Sequence, residues 1–442
     1  MTSHLSIGRR RRAGCRLGVI TVAALLAASC GGGDDSASGE PSGAATDAPV
    51  TVDVLIPDTS TNIVNPAFEV LTPEFTDRTG TTVEFVNSGG DYGAVEERIL
   101  AARVAGDLPD AAIISSASIR TYVDAGLAQP FDPLMEADAS YDPATAEPAL
   151  LDFGVYDDQT FGLPLTASWV VMYYNADVFR AAGLDPDDPP ATFTELEAAA
   201  RQIVDSGAAP SGLAFRFADD PNMWRLQNVV ASAGGALMND DQSELTFDDP
   251  ALTGLVEFLA ELAADDVVSL YDSTSIGEAY FRGDVGIVFD ASSSARTHAE
   301  GAAFEYRIAP YPVLDDGDDR VLLAGGASIV MFTDDPVRQQ GVWEAVRELI
   351  GPAGGTAYEE EQGGGVVVLD KSANAAVADE HAALALTAGD VADFAPMFQF
   401  PGRSAQEIWS ILGDEILAAL QSGKDPAQAL ADAEDAAGSL LP

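Results

Sequence analysis

The sequence predicts an α/β fold arranged as two lobes, and three observations predict it. Short apolar strand runs alternate with segments of helical spacing from Val50 onward, the pattern of a parallel sheet with crossover helices. The same idiom returns in the second half of the chain with its own helix-opening signals. The 442 residues are 47% hydrophobic and 21% charged. That is length for two to three units of roughly 100–200 residues, with apolar content for a core in each.

Taken in order, Val50-Thr51-Val52-Asp53-Val54-Leu55-Ile56 is the first strand run. A helical stretch around 68–75 leads to a second strand at 82–86. Val95, Ile99, Leu100 and Val104 are read as one face of the next helix, which Leu108-Pro109-Asp110 stops before a third strand at 111–114. Later, Thr192-Phe193-Thr194-Glu195 reads as a capping box opening a helix through Leu196, Ala200 and Ile203. Asp249-Pro250 opens another, with Leu252, Leu255, Leu259 and Leu262 at helical spacing. Strands follow at 285–289 and 328–332, then a second capping box at Ser404–Glu407 and an alanine-rich terminal helix. Trp343 and Trp409 fall on apolar helical faces and are read as core. No internal repeat is visible.

The first fifty residues read differently. Arg9 to Arg12 and Arg16 precede an apolar run at 17–28, too short to span a bilayer comfortably. The run ends Leu25-Leu26-Ala27-Ala28-Ser29-Cys30-Gly31. This resembles a bacterial lipoprotein signal, with residues 1–29 removed and Cys30 lipidated as the new N-terminus; a plain secretory peptide with a chance cysteine is the alternative. Cys15 is the only other cysteine, so the exported chain has no internal disulfide and depends on its core. Residues 30–49, rich in Gly, Ser, Ala and Asp, read as a flexible tether. The expected location is outside the cell, lipid-anchored to the outer face of the membrane.

Charge and residue inventory narrow the function. Lys and Arg total 22 against 71 acids, a formal charge of −49, and losing the five leader arginines takes it to −54. A nucleic-acid partner needs a basic surface, and an anionic leaflet would repel this one, so the lipid must do the anchoring. With so many acids, carboxylate pairs carry no information about glycosidase chemistry. Beyond the leader only His298 and His381 remain, with no Gly-x-Ser-x-Gly elbow and no phosphate loop. No catalytic residue, metal or cofactor is expected. What remains is polar strand ends, where open α/β sheets bind ligands: Asp58-Thr59-Ser60 after the first strand, Gly89-Gly90-Asp91-Tyr92 after the second and Ser115-Ser116 after the third.

A resemblance becomes specific at Gly162-Leu163-Pro164, Trp169-Val170-Val171-Met172-Tyr173-Tyr174-Asn175, Phe179-Arg180-Ala181-Ala182-Gly183-Leu184, Pro189-Pro190 and Thr192. This resembles the signature of the bacterial extracellular solute-binding proteins, the family that includes maltose-binding protein and supplies receptor subunits of ABC importers. The segments Gly90–Tyr92, that around Trp224, Ala309-Pro310-Tyr311-Pro312, Gly325-Gly326-Ala327-Ser328 and Phe400-Pro401-Gly402-Arg403 make it most similar to the glycerol-3-phosphate-binding branch. The resemblance implies a two-lobed periplasmic-binding-protein type II fold with three hinge crossovers, placed near 170–174, 328–331 and 366–370. The N-terminal lobe would be 50–170 plus 328–368, and the C-terminal lobe 171–327 plus 369–442.

The resemblance further implies that Tyr92, Ser168, Trp224, Gly326 and Arg403 touch ligand, with Asp58, Ser60, Ser116, Trp169, Gly325 and Ser328 completing the site. Trp169 is either a stacking platform or a hinge-packing residue. Aromatic faces suit the C–H face of a sugar or glycerol, and the Arg403 guanidinium either grips a phosphate or forms an inter-helix salt bridge. The branch has a tyrosine where this chain has Val366 and a glutamate where it has Ser116. The ligand class stays open between a sugar, a glycerol phosphate and a larger glycerophosphodiester. Expected partners are that solute and ABC permease subunits, with the receptor a monomer. A secreted carbohydrate-active enzyme and a non-transport sensor lipoprotein are the alternatives.

Overall fold

Two five-stranded sheets organise the chain in the computed structural model, which describes residues 49–58, 65–216, 221–271, 273–314, 319–377, 384, 387, 394–402 and 404–442. The strands are β1 (Val50–Ile56), β2 (Thr81–Asn87), β3 (Ala111–Ser115), a small hairpin of β4 (Val155–Tyr156) and β5 (Gln159–Thr160), β6 (Gly162–Pro164), β7 (Val170–Asn175), β8 (Ser211–Arg216), β9 (Val268–Tyr271), β10 (Val285–Ala291), β11 (Tyr306–Pro310), β12 (Leu322–Ala324), β13 (Ala327–Met331) and β14 (Phe394–Pro396). The first sheet runs β2-β1-β3-β13-β6 and the second β9-β8-β10-β7-β11.

The two orders are the same. In each, a first strand lies between a second and a third, all parallel, and a reversed strand follows beside the third. A fourth strand closes the sheet, antiparallel to the reversed one. The sheets are therefore mixed, where alternation alone predicted parallel ones. The reason is connectivity. β7 and β13 reach their sheets from the other lobe, entering at the carboxyl ends of the parallel strands, so they run back against them.

Two passages between the sheets lie side by side, and residues 366–370, expected as a third, instead lead from helix Pro352–Glu361 to helix Lys371–Val377, which packs on it. Residues 165–169 join β6 to β7, and Gly325 and Gly326 join β12 to β13. Ser168 exchanges backbone hydrogen bonds with Gly325 at 2.8 and 2.9 Å, and Ala167 exchanges them with Val367 at 2.6 and 2.7 Å. The passages expected at 170–174 and 328–331 are instead the buried strands that follow them. An apolar run of that kind pays off only inside a sheet, whereas the passages use Thr166, Ala167, Ser168 and glycines, whose small side chains allow three backbones to approach.

Local signals hold at several helices. Thr192 and Glu195 form the capping box of Phe193–Asp205, and Asp249 accepts from Ala251 N at the start of Pro250–Ala264. Leu252, Leu255, Leu259 and Leu262 are all buried, as are Trp343 and Trp409. Three expectations need correction. The stretch around 68–75 is two helices, Asn65–Val70 and Pro73–Thr79, because Thr72 caps the second and Pro73 opens it. Of the four residues read as one face of Tyr92–Ala105, only Val95 and Ile99 face the core, while Leu100 and Val104 are 53% and 90% exposed; they sit about 100° and about 140° round the helix from Ile99. Ser404 makes no capping hydrogen bond. Among the described residues no helix is long and apolar enough to cross a membrane.

Helix Pro352–Glu361 buries a carboxyl without compensation. Glu359 is 3% exposed, and burial alone lifts it from 4.5 to about 8. Its folded-state value lies above its unfolded one, so its contribution to stability is full below about pH 4.5 and is lost as pH rises towards 8. Glu359→Gln is expected to raise the melting temperature at pH 8.5 and leave it nearly unchanged at pH 4.5. Equal shifts at both pH values would exclude this origin.

Candidate functional site

The residues singled out in the sequence converge on the carboxyl end of β3 and the interlobe passages. Ser116 follows β3, and its N–H donates to Gly326 O at 3.0 Å. Its hydroxyl lies 2.7 Å from that of Ser328, at the start of β13, and both serines are buried. Ser168 sits in the first passage, paired through its backbone with Gly325.

Gly326 is required by space and by backbone. Its φ is +151°, and a Cβ there would fall 2.0 Å from Thr166 O. Gly325 offers an open face to Trp224, whose ring carbons would lie 3.3 Å from a Cβ at that position. The Trp224 indole N–H donates to Leu323 O at 2.5 Å, fixing the ring against the second passage. Trp224 opens helix Trp224–Ser232 directly after Asn222 and Met223, both at positive φ, backbone that costs energy in residues other than glycine. The aromatic ring is thus set by a constrained turn on one side and a glycine on the other.

The other candidates divide. Asp58 ends the β1 segment, its N–H donating to Gly90 O at 2.6 Å, so the loops after β1 and β2 meet. Tyr92 opens its helix half-buried, with its phenol raised by burial and near enough to Tyr358 to raise that group too. Trp169 is 1% exposed, its indole N–H donating to Thr387 Oγ1 at 2.8 Å and its ring 5.7 Å from Phe394. Of the two roles left open for it, the geometry matches hinge packing, because both ring and donor are used inside the protein. Ser60, Arg403 and Cys30 lie outside the described residues.

The sequence reading missed a second group, in the C-terminal lobe. Ser292, at the carboxyl end of β10, donates to Gly365 O at 2.5 Å, and its N–H donates to Trp169 O. A Ser-Ser-Ser run after a strand was the same signal that selected Ser115-Ser116. Behind it, Arg225 is 2% exposed and holds Asp290 at 2.9 Å and Phe289 O at 2.8 Å. His298 Nε2 lies 3.2 Å from Asp290, and its ring stacks on Tyr173 with centroids 3.7 Å apart. Burial opposes the charge on Asp290, yet the His298 ring, the Arg225 guanidinium and the Ala291 N–H together hold it below the usual carboxylate range. No local signal joins Arg225 to Asp290, 65 residues away.

Contacts also run across the opening between the lobes. Arg120 donates to Gln242 at 2.9 Å, and Arg296 pairs with Glu361. Among the described residues no cluster of His, Cys, Asp and Glu is arranged to hold a metal. The arrangement can bind and enclose a small polar molecule, using hydroxyls, backbone groups and an aromatic face.

Comparison with known proteins agrees with this architecture. Residues 59–356 match the family model of the bacterial extracellular solute-binding protein. The sn-glycerol-3-phosphate-binding periplasmic protein UgpB of Rhizobium meliloti is 25% identical over 203 residues, 45% of this chain and 47% of that protein. Its Escherichia coli K12 counterpart is 26% identical over 248 residues, 53% and 55% of the two chains. The chain thus spans about half the length of the curated relatives it matches. In fold it is similar to UgpB from Mycobacterium tuberculosis in complex with glycerophosphocholine, with TM-score 0.76, 17% identity and 87% and 97% of the chains covered. It is also similar to the cyclic alpha-maltosyl-1,6-maltose binding protein from Arthrobacter globiformis, with TM-score 0.73, 22% identity and 89% and 99% covered. Two lobes of one strand order, two adjacent passages between them and a family match across most of the body lead to one conclusion: the chain belongs to the bacterial extracellular solute-binding proteins.

Proposed function

We propose that this protein is the substrate-binding receptor of an ABC importer, exported and tethered through a lipid on Cys30. It captures a sugar or glycerol-phosphate-type solute between its lobes, without chemical change, and delivers it to the permease. The observation that carries this reading is the convergence of Ser116, Ser328, Gly326 and Trp224 on the passages that connect the lobes. Ligand held there touches both lobes at once, so its binding energy favours the closed form over the open one. Tyr92, Ser168, Gly325 and Asp58 complete the proposed contact set, with Ser60 as a further contact and Arg403 as the partner for an anionic end. The similarity to glycerol-3-phosphate-binding relatives supports the solute class.

A thermal-shift series with sugars, glycerol phosphates and glycerophosphodiesters tests this, because a ligand that binds only the folded state raises the melting temperature by mass action. A shift with at least one class is the expected result, and no shift with any overturns the reading. With a binding solute in hand, Trp224→Ala is expected to cost on the order of 1–3 kcal/mol of affinity through lost stacking and burial. Unchanged affinity beside a large drop in melting temperature would make Trp224 purely structural.

A further inference from the structure

Strand β12 lies outside both five-stranded sheets, and among the described residues it pairs only with β14. Its other edge is closed by side chains in place of a strand. Asn228, fully buried on helix Trp224–Ser232, accepts the Leu323 N–H on Oδ1 at 3.0 Å. Its Nδ2 donates to Leu323 O at 3.4 Å and to Trp224 O at 2.9 Å. One side-chain amide thus serves Leu323 as the peptide of a neighbouring strand would. A carboxylate there would have no proton to give, and an aliphatic side chain would offer neither group.

On the same edge, two residues earlier, hydroxyls repeat the pattern. Ser232 Oγ accepts from Val321 N at 2.9 Å, and the Tyr311 hydroxyl donates to Val321 O at 2.7 Å. The two hydroxyls lie 2.6 Å apart, and both side chains are buried. Leu323 O also receives the Trp224 indole N–H, so strand, amide and ring form one unit. That unit ends abruptly. Ala327 opens β13 opposite Ser115, and its backbone is held by Leu165 N and Thr166 Oγ1 in the first lobe. Only Ala324, Gly325 and Gly326 stand between Leu323 and Ala327.

We propose that Asn228 is a positioning residue for solute binding. With Ser232 and Tyr311 it bolts β12 to helix Trp224–Ser232, so the lobes turn at Gly325 and Gly326 while the Trp224 ring keeps its place. This rests on the receptor function and the Trp224 contact proposed above. The gain is preorganisation: a ring fixed in advance loses no freedom when solute arrives, and the binding energy goes into lobe closure. A ring that swung with a loose passage would have to be ordered at every capture.

Hydrogen exchange at the four tryptophan indoles, followed by NMR on the ligand-free full-length protein, tests this. In Asn228→Ala the Trp224 indole N–H is expected to exchange at least tenfold faster, with Trp169, Trp343 and Trp409 unchanged. Tyr311→Phe, which removes only a hydroxyl, is the milder variant and should give a severalfold rise at Trp224 alone. Calorimetry with maltose, glycerol-3-phosphate and glycerophosphocholine reads the consequence. Whichever of these the parent binds should bind both variants severalfold more weakly. Equal acceleration at all four indoles, or unchanged affinity in both variants, overturns the positioning role and leaves the receptor function standing. If the parent binds none of the three, the receptor function falls and the positioning role falls with it.

Discussion

Gly326→Ala is expected to cost about 3–5 kcal/mol of folding stability, measured by urea denaturation. Two terms add. An L-residue at φ +151° is strained whatever surrounds it, and the new Cβ would sit 2.0 Å from Thr166 O and 3.0 Å from Ala167 Cα. These are backbone atoms, so no side chain can swing aside. The neighbouring ribbon must move, and it is held by Leu165 N to Ala327 O at 2.8 Å and Ala327 N to Thr166 Oγ1 at 3.2 Å. Gly254→Ala is the control: this glycine sits within helix Pro250–Ala264 with nothing within 4 Å of the added carbon. It is expected to gain up to about 1 kcal/mol. If the two variants behaved alike, the passages would be looser than the described geometry.

The same displacement should reach ligand binding, because Gly326 O receives the Ser116 N–H and Ser116 in turn faces Ser328. Binding in Gly326→Ala should therefore weaken even under conditions where the variant remains folded.

What the sequence made legible follows from the range of each interaction. The Thr192 cap and the leucines of Pro250–Ala264 depend on residues within a turn or two, and both are in place. The shared strand order of the two sheets left no repeat in the sequence, because any buried apolar run can supply backbone hydrogen bonds to a sheet. The resemblance places passages on the residues of β7 and β13, although 328–332 also reads as a buried strand, because burial marks a strand without marking its direction. Trp169 looked like a stacking platform as readily as a hinge residue until its partner Thr387, 218 positions away, came into view. Ser292 carried a legible signal, a polar run at a strand end, but the contacts that give it meaning come from Trp169 and Gly365.

The Arg225–Asp290 pair lay wholly beyond local reading, and its loss should have the other large effect. Arg225→Met is expected to cost about 2–3 kcal/mol at pH 7, since it removes a charge-assisted hydrogen bond to Asp290, whose side chain is 32% exposed and so only partly desolvated. Asp290→Asn in the same chain should recover most of it, and a double-mutant cycle measures the coupling. The pH dependence has a definite sign. In the parent protein Asp290 is held below its ordinary value of 3.8, so its contribution is full above that value and fades only as pH falls towards the lower, folded value. Without Arg225 the partly buried carboxylate loses its strongest cation, and protonation relieves the unpaired charge. The deficit of Arg225→Met should then be smaller at pH 4 than at pH 7, and Asp290→Asn should abolish that difference. A deficit independent of pH and indifferent to Asp290→Asn would instead place the cost in lost packing of the Arg225 stem against Trp224, whose ring lies 6.0 Å from the guanidinium carbon. The two outcomes separate an electrostatic role for the Arg225–Asp290 pair from a steric role for the Arg225 stem.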